Sequence, residues 1–510
     1  MRRRHNILVL LFVLALASCG PAPAVPAPTS IPATPAPAPT LAPAPTSAPT
    51  VAPTSGPTSA PAPTAPPEQT TAPAAAAPAA YVIYQRADGS LWRADGAGAQ
   101  PIKLSEATEP EAALPWAASP DGKTIAVVAG TGLWYQFHEN PSLALWLVGA
   151  DGSNPRKVQD LLPPRGVDPT PGGDDAFNLV PALTSEQRLA WSPDGQLVAF
   201  ASAHAGQVDL YAAALDGTLT RVTDTPALEQ GPVWSPDGVL LAYRTASGFG
   251  TGAGWGDAGV AVTPRGGGAP AYVVDNAKLS AARGVALVPD LLWIDANTLI
   301  AGLWDRVVGN DEVRALAVSD RGEAKVFDAP YSALAWNAAT HQLAIGGTSA
   351  RLAQSPLDGR ALAPGLFAWT PGAGAPVRIE PGPAEALAWS PQGDALAFSV
   401  AGERSGLRLW SIGADGDLRE IGGRPARQLR WSPDGQALAA DGAIYARGGK
   451  RLADLPGENI SLLGWAPQGL FYFTSAGGDH DLWLWDGARA RKIDSGIRQI
   501  ANAGVVLAGE

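Results

Sequence analysis

Residues of the types that carry out catalysis are few in this 510-residue chain. The five histidines show no pair at a metal-ligand spacing such as H-x-x-x-H. The single cysteine, Cys19, follows an apolar N-terminal run and supplies no thiolate to a folded domain. No G-x-S-x-G motif is present, and no glycine-rich stretch leads into Lys-Ser/Thr or a helical pattern. The sequence therefore predicts no metal, no cofactor and no catalytic motif of a known kind.

Acidic residues leave one enzymatic alternative open. A pair of carboxylates can act as acid and base on a glycosidic bond when they lie about 5 to 10 Å apart. The candidates are Asp257, Asp305, Asp311 and Glu312, which show no spacing typical of a known enzyme family. A cell-surface enzyme or binding subunit acting on a polysaccharide or other polymer thus stays as the alternative to a non-catalytic protein.

The N-terminus has the pattern of an export signal. Three arginines, Arg2 to Arg4, precede an apolar run from Ile7 to Ala17 that is too short for a comfortable transmembrane helix. The run ends in Leu-Ala-Ser-Cys-Gly, which closely resembles the bacterial lipobox. That resemblance implies cleavage after residue 18 and acylation of Cys19, so residues 1–18 are predicted to be a lipoprotein signal peptide. The predicted location is extracytoplasmic and membrane-anchored, at the cell surface or in the periplasm.

Residues 19–80 are dominated by Pro, Ala and Thr. Such a composition has no side chains with which to build a core, and its prolines lack backbone donors. We expect the acylated cysteine to be followed by a disordered, extended stalk that holds a folded domain away from the membrane.

The rest of the chain is organised around one repeated phrase. It reads WSPDGQLVAF from Trp191 and WSPDGVLLAY from Trp234, and close copies begin at Trp389 and Trp431. Looser copies bring the total to eight, at intervals of 34 to 75 residues. Their first residues are Trp116, Trp293, Trp336 and Trp465.

Each copy has the pattern of a β-hairpin. An apolar strand ends at the tryptophan, proline and aspartate favour a tight turn, glycine takes the position of positive φ, and a second apolar strand returns. A third strand often follows and ends in another Asp-Gly turn, as at Asp216-Gly217, before a short fourth strand. Four antiparallel strands per repeat are typical of a β-propeller blade.

The phrase W-S-P-D-G-x-x-[ILV]-A-[FY], followed by L-[YW]-x-x-x-x-D-G, resembles the WD40-like repeats of TolB-type propellers. The resemblance covers residues 81–510 and implies an all-β propeller that interacts with envelope proteins. The chain departs from the TolB pattern because a disordered stalk stands in place of the TolB N-terminal domain.

The two ends of residues 81–510 are predicted to share a blade. Residues 81–104 contain only three strand candidates, and the segment after Ile497 contains one or two without later partners. Joined together they would remove the exposed sheet edges of an open ring. Because one weak copy, at Trp293 or Trp336, need not lead a blade, eight blades are expected, with nine as the next possibility.

The alternating direction of successive strands predicts which side of the blades binds a partner. The S-P-D-G turns and the late Asp-Gly turns fall on one side of the blades, and all long insertions fall on the other, where binding residues gather. The insertions carry the candidate binding residues, which are Trp134, Tyr135, Phe137, His138, Phe177, Phe249, Trp255, Trp304, Asp305 and Arg306. Aromatic residues with a few charges suit a protein, a peptide or a glycan.

The formal net charge of −11 and the lack of a basic patch argue against nucleic-acid binding. The function that we expect is a lipid-anchored extracytoplasmic scaffold, held to the membrane by its acyl chains, that binds an envelope protein or peptide through the loop-rich side.

Overall fold

A computed structural model describes the chain from residue 80 to residue 507 with internal gaps. The described residues are 80–96, 100–106, 115–131, 142–164, 179, 182–184, 187–250, 254–256, 259–274, 286–305, 312–319, 323–327, 330–347, 364–402, 405–412 and 417–507. They all belong to one compact unit, Ala72–Glu510. The predicted signal peptide, Cys19 and the stalk lie outside the described residues.

The described residues form 37 β-strands. In chain order they are β1 (Ala80–Arg86), β2 (Leu91–Ala94), β3 (Ile102–Lys103), β4 (Trp116–Ala118), β5 (Thr124–Thr131), β6 (Ser142–Gly149), β7 (Arg156–Asp160), β8 (Ala190–Trp191), β9 (Leu197–Ser202), β10 (Asp209–Ala214), β11 (Leu219–Arg221), β12 (Leu228–Trp234), β13 (Leu240–Ala246), β14 (Gly248–Gly250), β15 (Gly254–Gly256), β16 (Gly259–Pro264), β17 (Ala271–Val274), β18 (Ala286–Trp293), β19 (Thr298–Asp305), β20 (Glu312–Ala317), β21 (Glu323–Phe327), β22 (Tyr331–Asn337), β23 (Gln342–Gly347), β24 (Gly365–Trp369), β25 (Val377–Pro381), β26 (Ala384–Trp389), β27 (Ala395–Val400), β28 (Gly406–Ser411), β29 (Leu418–Gly422), β30 (Leu429–Trp431), β31 (Ala437–Ala440), β32 (Ala443–Ala446), β33 (Arg451–Asp454), β34 (Ser461–Ala466), β35 (Gly469–Ala476), β36 (Asp479–Trp485) and β37 (Ala490–Leu507).

Eight sheets of four or more antiparallel strands account for almost all of these strands, which confirms the all-β propeller prediction. Seven sheets have four strands in sequential order, and each of them begins with a strand that carries or ends at one of the repeat tryptophans. We name each blade by that tryptophan. Trp293 and Trp336, the two weak copies, both lead four-stranded blades.

The eighth sheet contains seven strands because β37 serves two blades. Its first part, from Ala490, pairs with β36 and completes the Trp465 blade. Its last part, up to Leu507, pairs with β1 and becomes the inner strand of a further blade with β2 and β3. We call the latter the closing blade. The number of large sheets is thus the eight that we expected, and counting the two parts of the seven-stranded sheet separately gives nine.

The repeat tryptophans join neighbouring blades. In six of them the indole Nε1 donates a hydrogen bond of 2.9 to 3.0 Å to a backbone carbonyl on the inner strand of the preceding blade. The pairs are Trp191 with Ala117, Trp234 with Ala190, Trp293 with Val233, Trp389 with Ala335, Trp431 with Ala388, and Trp465 with Arg430. Each indole therefore fills the seam between two blades and also satisfies a carbonyl there.

The S-P-D-G turns form as their sequence predicts. In the Trp191 blade the hydroxyl of Ser192 donates to Asp194 at 2.6 Å and receives the backbone N–H of Leu197 at 3.0 Å. Gly195 closes the turn with φ of 68°, a value that favours glycine. The second strands then bury their central aromatic residues completely, as at Phe200 and Phe398.

Candidate functional site: the loop-rich edge

The two edges of the blades differ in the length of their connections. Because the strands run antiparallel in sequential order, the turns between first and second strands and between third and fourth strands lie on one edge, the turn edge. Connections between second and third strands and between blades lie on the other, the loop-rich edge. Between the described strands, no connection on the turn edge exceeds seven residues. The predicted insertions all fall on the loop-rich edge.

The long connections are confined to one part of that edge. Six of them have ten or more residues, and these are 104–115, 132–141, 161–189, 247–258, 275–285 and 348–364. All six belong to the stretch from the closing blade to the Trp336 blade. After residue 364, no connection between described strands on this edge is longer than six residues. The long connections are therefore concentrated on one arc of the loop-rich edge.

The predicted binding residues fall into two groups. Trp134, Tyr135, Phe137, His138, Phe177 and Arg306 lie outside the described residues. The other four have a described backbone only. Phe249 and Trp255 are Cα partners in the two-stranded sheet of β14 and β15, which lies in the chain between the second and third strands of the Trp234 blade. Trp304 and Asp305 end β19 and pair with Leu287 and Ala286. The backbone thus brings Phe249 and Trp255 together and leaves Trp304 and Asp305 on the next blade.

Of the four carboxylates considered for an enzymatic role, only Glu312 has a described side chain. It begins β20, is fully buried and forms an ion pair of 2.8 Å with the Nε atom of Arg314. Glu312 is therefore enclosed in the Trp293 blade and is not presented to a substrate. Asp257 and Asp311 lie outside the described residues.

A buried pair of acids lies at the loop-rich end of the seam between the Trp191 and Trp234 blades. Asp209 begins β10, Glu229 is the second residue of β12, and neither side chain is exposed. The hydroxyl of Thr223 donates to Glu229 at 3.2 Å, and that of Thr225 donates to its other oxygen. Arg221 donates to Asp209 Oδ2 at 2.7 Å.

The surroundings of the pair give the two carboxyl groups different pKa values. Burial, opposed by two threonine hydroxyls, raises the pKa of Glu229 to about 8, and the nearby charge of Asp209 adds to this effect. Burial also raises the pKa of Asp209 to about 6, but Arg221 limits the increase. At neutral pH Glu229 therefore keeps its proton while Asp209 is ionised. That proton can satisfy Asp209 Oδ1, which otherwise has no partner.

Raised pKa values of this size often mark functional groups. Both acids are fully buried in the seam between the two blades, however, so they do not reach a substrate. The sequence analysis missed the pair. The available signal was Glu229 itself, a charged residue inside the otherwise uncharged strand Leu-Glu-Gln-Gly-Pro-Val-Trp.

The part of the chain that the structure describes contains no group of three or more His, Cys, Asp or Glu side chains placed to hold a metal ion. Among the same residues, no helix has the length and apolar character needed to cross a membrane.

No protein-family model matches the sequence, and no curated protein matches it either. Among solved structures, one of the eukaryotic initiation factor aligns with 82% of this chain and 99% of its own, at 13% identity and a TM-score of 0.52. At that identity the likeness concerns the fold alone. The chain is a β-propeller.

Two further structures are similar at lower scores. A TolB candidate from Agrobacterium tumefaciens aligns with 49% of this chain and 82% of its own, at 18% identity and a TM-score of 0.30. The β-propeller domain of the Trilobed protease from Pyrococcus furiosus aligns with 75% of this chain and 98% of its own, at 11% identity and a TM-score of 0.36. These likenesses assign no activity or partner to this chain.

Proposed function

We propose that the protein is a lipid-anchored extracytoplasmic propeller that binds a protein or peptide partner through the loop-rich edge. The observation that carries the proposal is the lopsided distribution of long connections described above. Rigid blades that present long loops on one arc are the usual arrangement of a binding scaffold. The sequence supports the anchor through the Leu-Ala-Ser-Cys-Gly segment and the Pro/Ala/Thr-rich stretch that follows.

The hairpin of β14 and β15 is the most distinct element of this arc. It inserts two aromatic residues, Phe249 and Trp255, at paired positions into a glycine-rich segment. Aromatic residues dominate the binding energy of protein interfaces, and the flanking glycines let a partner approach the backbone closely.

Site-specific photo-crosslinking in intact cells tests the proposal. A photoreactive amino acid replaces Trp255 in one variant and Val239 in a second. Val239 is a matched control because it is an apolar residue of the same blade, 56% exposed, on the turn edge. We expect one defined crosslinked partner from position 255 and none from position 239. Equal crosslinking at both positions, or none at position 255, would refute partner binding at the loop-rich edge.

A further inference from the structure

Three exposed arginines follow one connection of the loop-rich edge. Arg424 and Arg427 lie in the connection 423–428, which runs from the outer strand β29 to the inner strand β30 of the next blade, and Arg430 lies in β30 itself. Successive members are at most about 10 Å apart along the chain. We call these three residues the arginine stripe. The sequence analysis found no basic patch in this acidic chain, whereas the fold shows a local one here.

The arginine stripe has no carboxylate partner. Other arginines of the same part of the chain form ion pairs, as Arg408 does with Glu420 and Arg447 does with Asp394 at 2.7 Å. Among the described residues, no carboxylate forms an ion pair with Arg424, Arg427 or Arg430. The three guanidinium groups therefore remain available to an anion from outside the chain.

Carboxylates on the same edge of the adjoining strands do not neutralise the stripe. Asp441, in the connection between β31 and β32, accepts the backbone N–H groups of Arg427 and Gln428 at 2.9 to 3.2 Å. Its carboxylate therefore anchors the connection. Glu385, in β26, and Glu458, in the connection after β33, are exposed and form no ion pair with the stripe.

Hydrogen bonds to three successive blades hold the connection in place. The hydroxyl oxygen of Ser399, in β27, accepts the backbone N–H of Ala426 at 2.8 Å. The side-chain oxygen of Gln428 accepts the backbone N–H of Leu462, in β34, at 2.5 Å. With Asp441, these contacts fix the backbone that carries the arginines, and a fixed backbone lowers the entropic cost of binding.

Arg430 is a cation whose charge is not compensated. Its Nε donates to the carbonyl of Leu463 at 3.0 Å and its Nη1 to that of Leu429 at 2.9 Å, so the guanidinium lies against two inner strands. This partial burial lowers the pKa of Arg430, and no carboxylate opposes the effect. An arginine still keeps its charge at neutral pH. An anion that binds beside it would therefore offset the lost hydration.

We propose that the arginine stripe binds an acidic segment of the protein partner, which lies along the connection from the outer strand towards the inner strand. Guanidinium groups are planar and match carboxylates with paired hydrogen bonds. Three of them in a row suit several carboxylates of one extended segment better than a single anion. This inference deepens the proposed function and depends on it for the nature of the partner.

The surroundings of the stripe favour a short acidic peptide over a long polyanion. The neighbouring connections between blades, 382–383 and 455–460, have only two and six residues, so a peptide can reach the stripe. Charges more than about 10 Å away are largely screened at 0.1 M salt, so a short segment interacts mainly with the stripe. A long polymer of phosphates would also meet the rest of a protein whose formal net charge is −11, which repels it.

The test measures dissociation constants of the full-length protein for labelled peptides by fluorescence anisotropy. The probes are blocked hexaglutamate and blocked hexaglutamine, with linear hexaphosphate as an unlabelled competitor. We expect hexaglutamate to bind at least about tenfold more tightly than hexaglutamine at low salt, and to lose most of this advantage at high salt, because the contacts are charge pairs.

A pair of double variants keeps the test decisive. Arg424→Gln with Arg427→Gln should weaken hexaglutamate at least about tenfold, since two cations are removed and the backbone contacts stay. Arg489→Gln with Arg491→Gln is the matched control and should leave binding unchanged. Arg489 and Arg491 are also exposed and form no ion pair among the described residues, but they lie at the turn edge, around the turn between β36 and β37. Arg430 is kept because it also joins two inner strands.

Equal affinity for the two peptides, or an equal loss in the two double variants, would overturn the inference. Displacement by hexaphosphate with at least tenfold higher affinity than hexaglutamate would identify a phosphate site and would also overturn it. The crosslinking at position 255 separates these failures from a failure of the proposed function. A crosslinked partner without hexaglutamate binding refutes the arginine stripe alone, and hexaglutamate binding to the stripe without a crosslinked partner refutes binding at the hairpin alone.

Discussion

Replacement of Glu229 by glutamine should stabilise the protein at neutral pH. Glutamine has the shape of the protonated carboxyl group, can donate a hydrogen bond to Asp209 and can accept one from a threonine hydroxyl. Unlike the carboxyl group of Glu229, the amide group of glutamine cannot lose a proton. The variant therefore removes the titration of Glu229 and keeps most of the contacts in the seam between the Trp191 and Trp234 blades.

The magnitude follows from the pKa values of the folded and unfolded states. The pKa of Glu229 rises from 4.5 to about 8 on folding, with burial as the main cause. Between these values the folded protein keeps a proton that the unfolded chain loses, so the free energy of unfolding falls by about 1.4 kcal/mol per pH unit. Below about pH 4.5 the folded and the unfolded chain both keep this proton, so the titration of Glu229 no longer lowers the free energy of unfolding. At pH 7 the wild type should therefore be less stable than Glu229→Gln by about 3 kcal/mol.

Urea unfolding followed by tryptophan fluorescence between pH 4.5 and 8.5 measures the difference. Glu385→Gln is the matched control, because Glu385 is also the second residue of an inner strand, β26, but is exposed. We expect the control to follow the wild type at every pH. Stability profiles of Glu229→Gln and wild type that run parallel over this range would show that the pKa of Glu229 is not raised, and the account of the acid pair would be wrong.

Four further substitutions test the anchor, the turns, the seams and the ring closure. Cys19→Ser should move the protein from the membrane fraction to the soluble fraction and abolish labelling with a fatty acid; retention of both would refute lipidation. Gly195→Ala should cost about 1 kcal/mol in urea unfolding, because φ is 68° and the added Cβ meets only an ordinary contact. Trp431→Phe should cost about 2 kcal/mol by the same measurement, since the seam loses an indole hydrogen bond and ring volume. Asp494→Asn removes the charge that Arg86 contacts at 2.7 Å and should lower the thermal midpoint, with a loss of about 2 kcal/mol; an unchanged midpoint would show that this pair does not hold β1 to β37.

The repeat phrase made the blades predictable because its signals are local. Proline and glycine define the turn, and the aromatic and β-branched residues on either side define two strands. Even the weak copies at Trp293 and Trp336 lead blades, since the alternation of the second strand survives where the turn residues have changed. The order of the strands then determines on which edge of the blades each connection lies, so the loop-rich edge was also predictable.

Features that depend on contacts between distant residues were not predictable in the same way. Asp209 and Glu229 lie on different blades. Glu229 stands out as the one charged residue of its strand, but nothing in the sequence shows that it meets Asp209. The continuity of β37 through two blades was hidden because Asp494 and Gly496 interrupt its apolar pattern.

Ring closure leaves a crevice of about 470 Å³ between the closing blade and the Trp116 blade. At other seams the indole of a repeat tryptophan, such as Trp191 or Trp431, donates a hydrogen bond to the preceding blade. The strands of that preceding blade follow one another in the chain. The closing blade is assembled from two distant parts of the chain, and its outermost strand, β3, has only two residues. It pairs well enough along β1 and β37 to close the ring but leaves part of the Trp116 blade uncovered. Extending β3 by redesign of the residues after Lys103 should therefore raise stability and close the crevice in the same step, whereas shortening connections elsewhere on the loop-rich edge should leave the crevice intact.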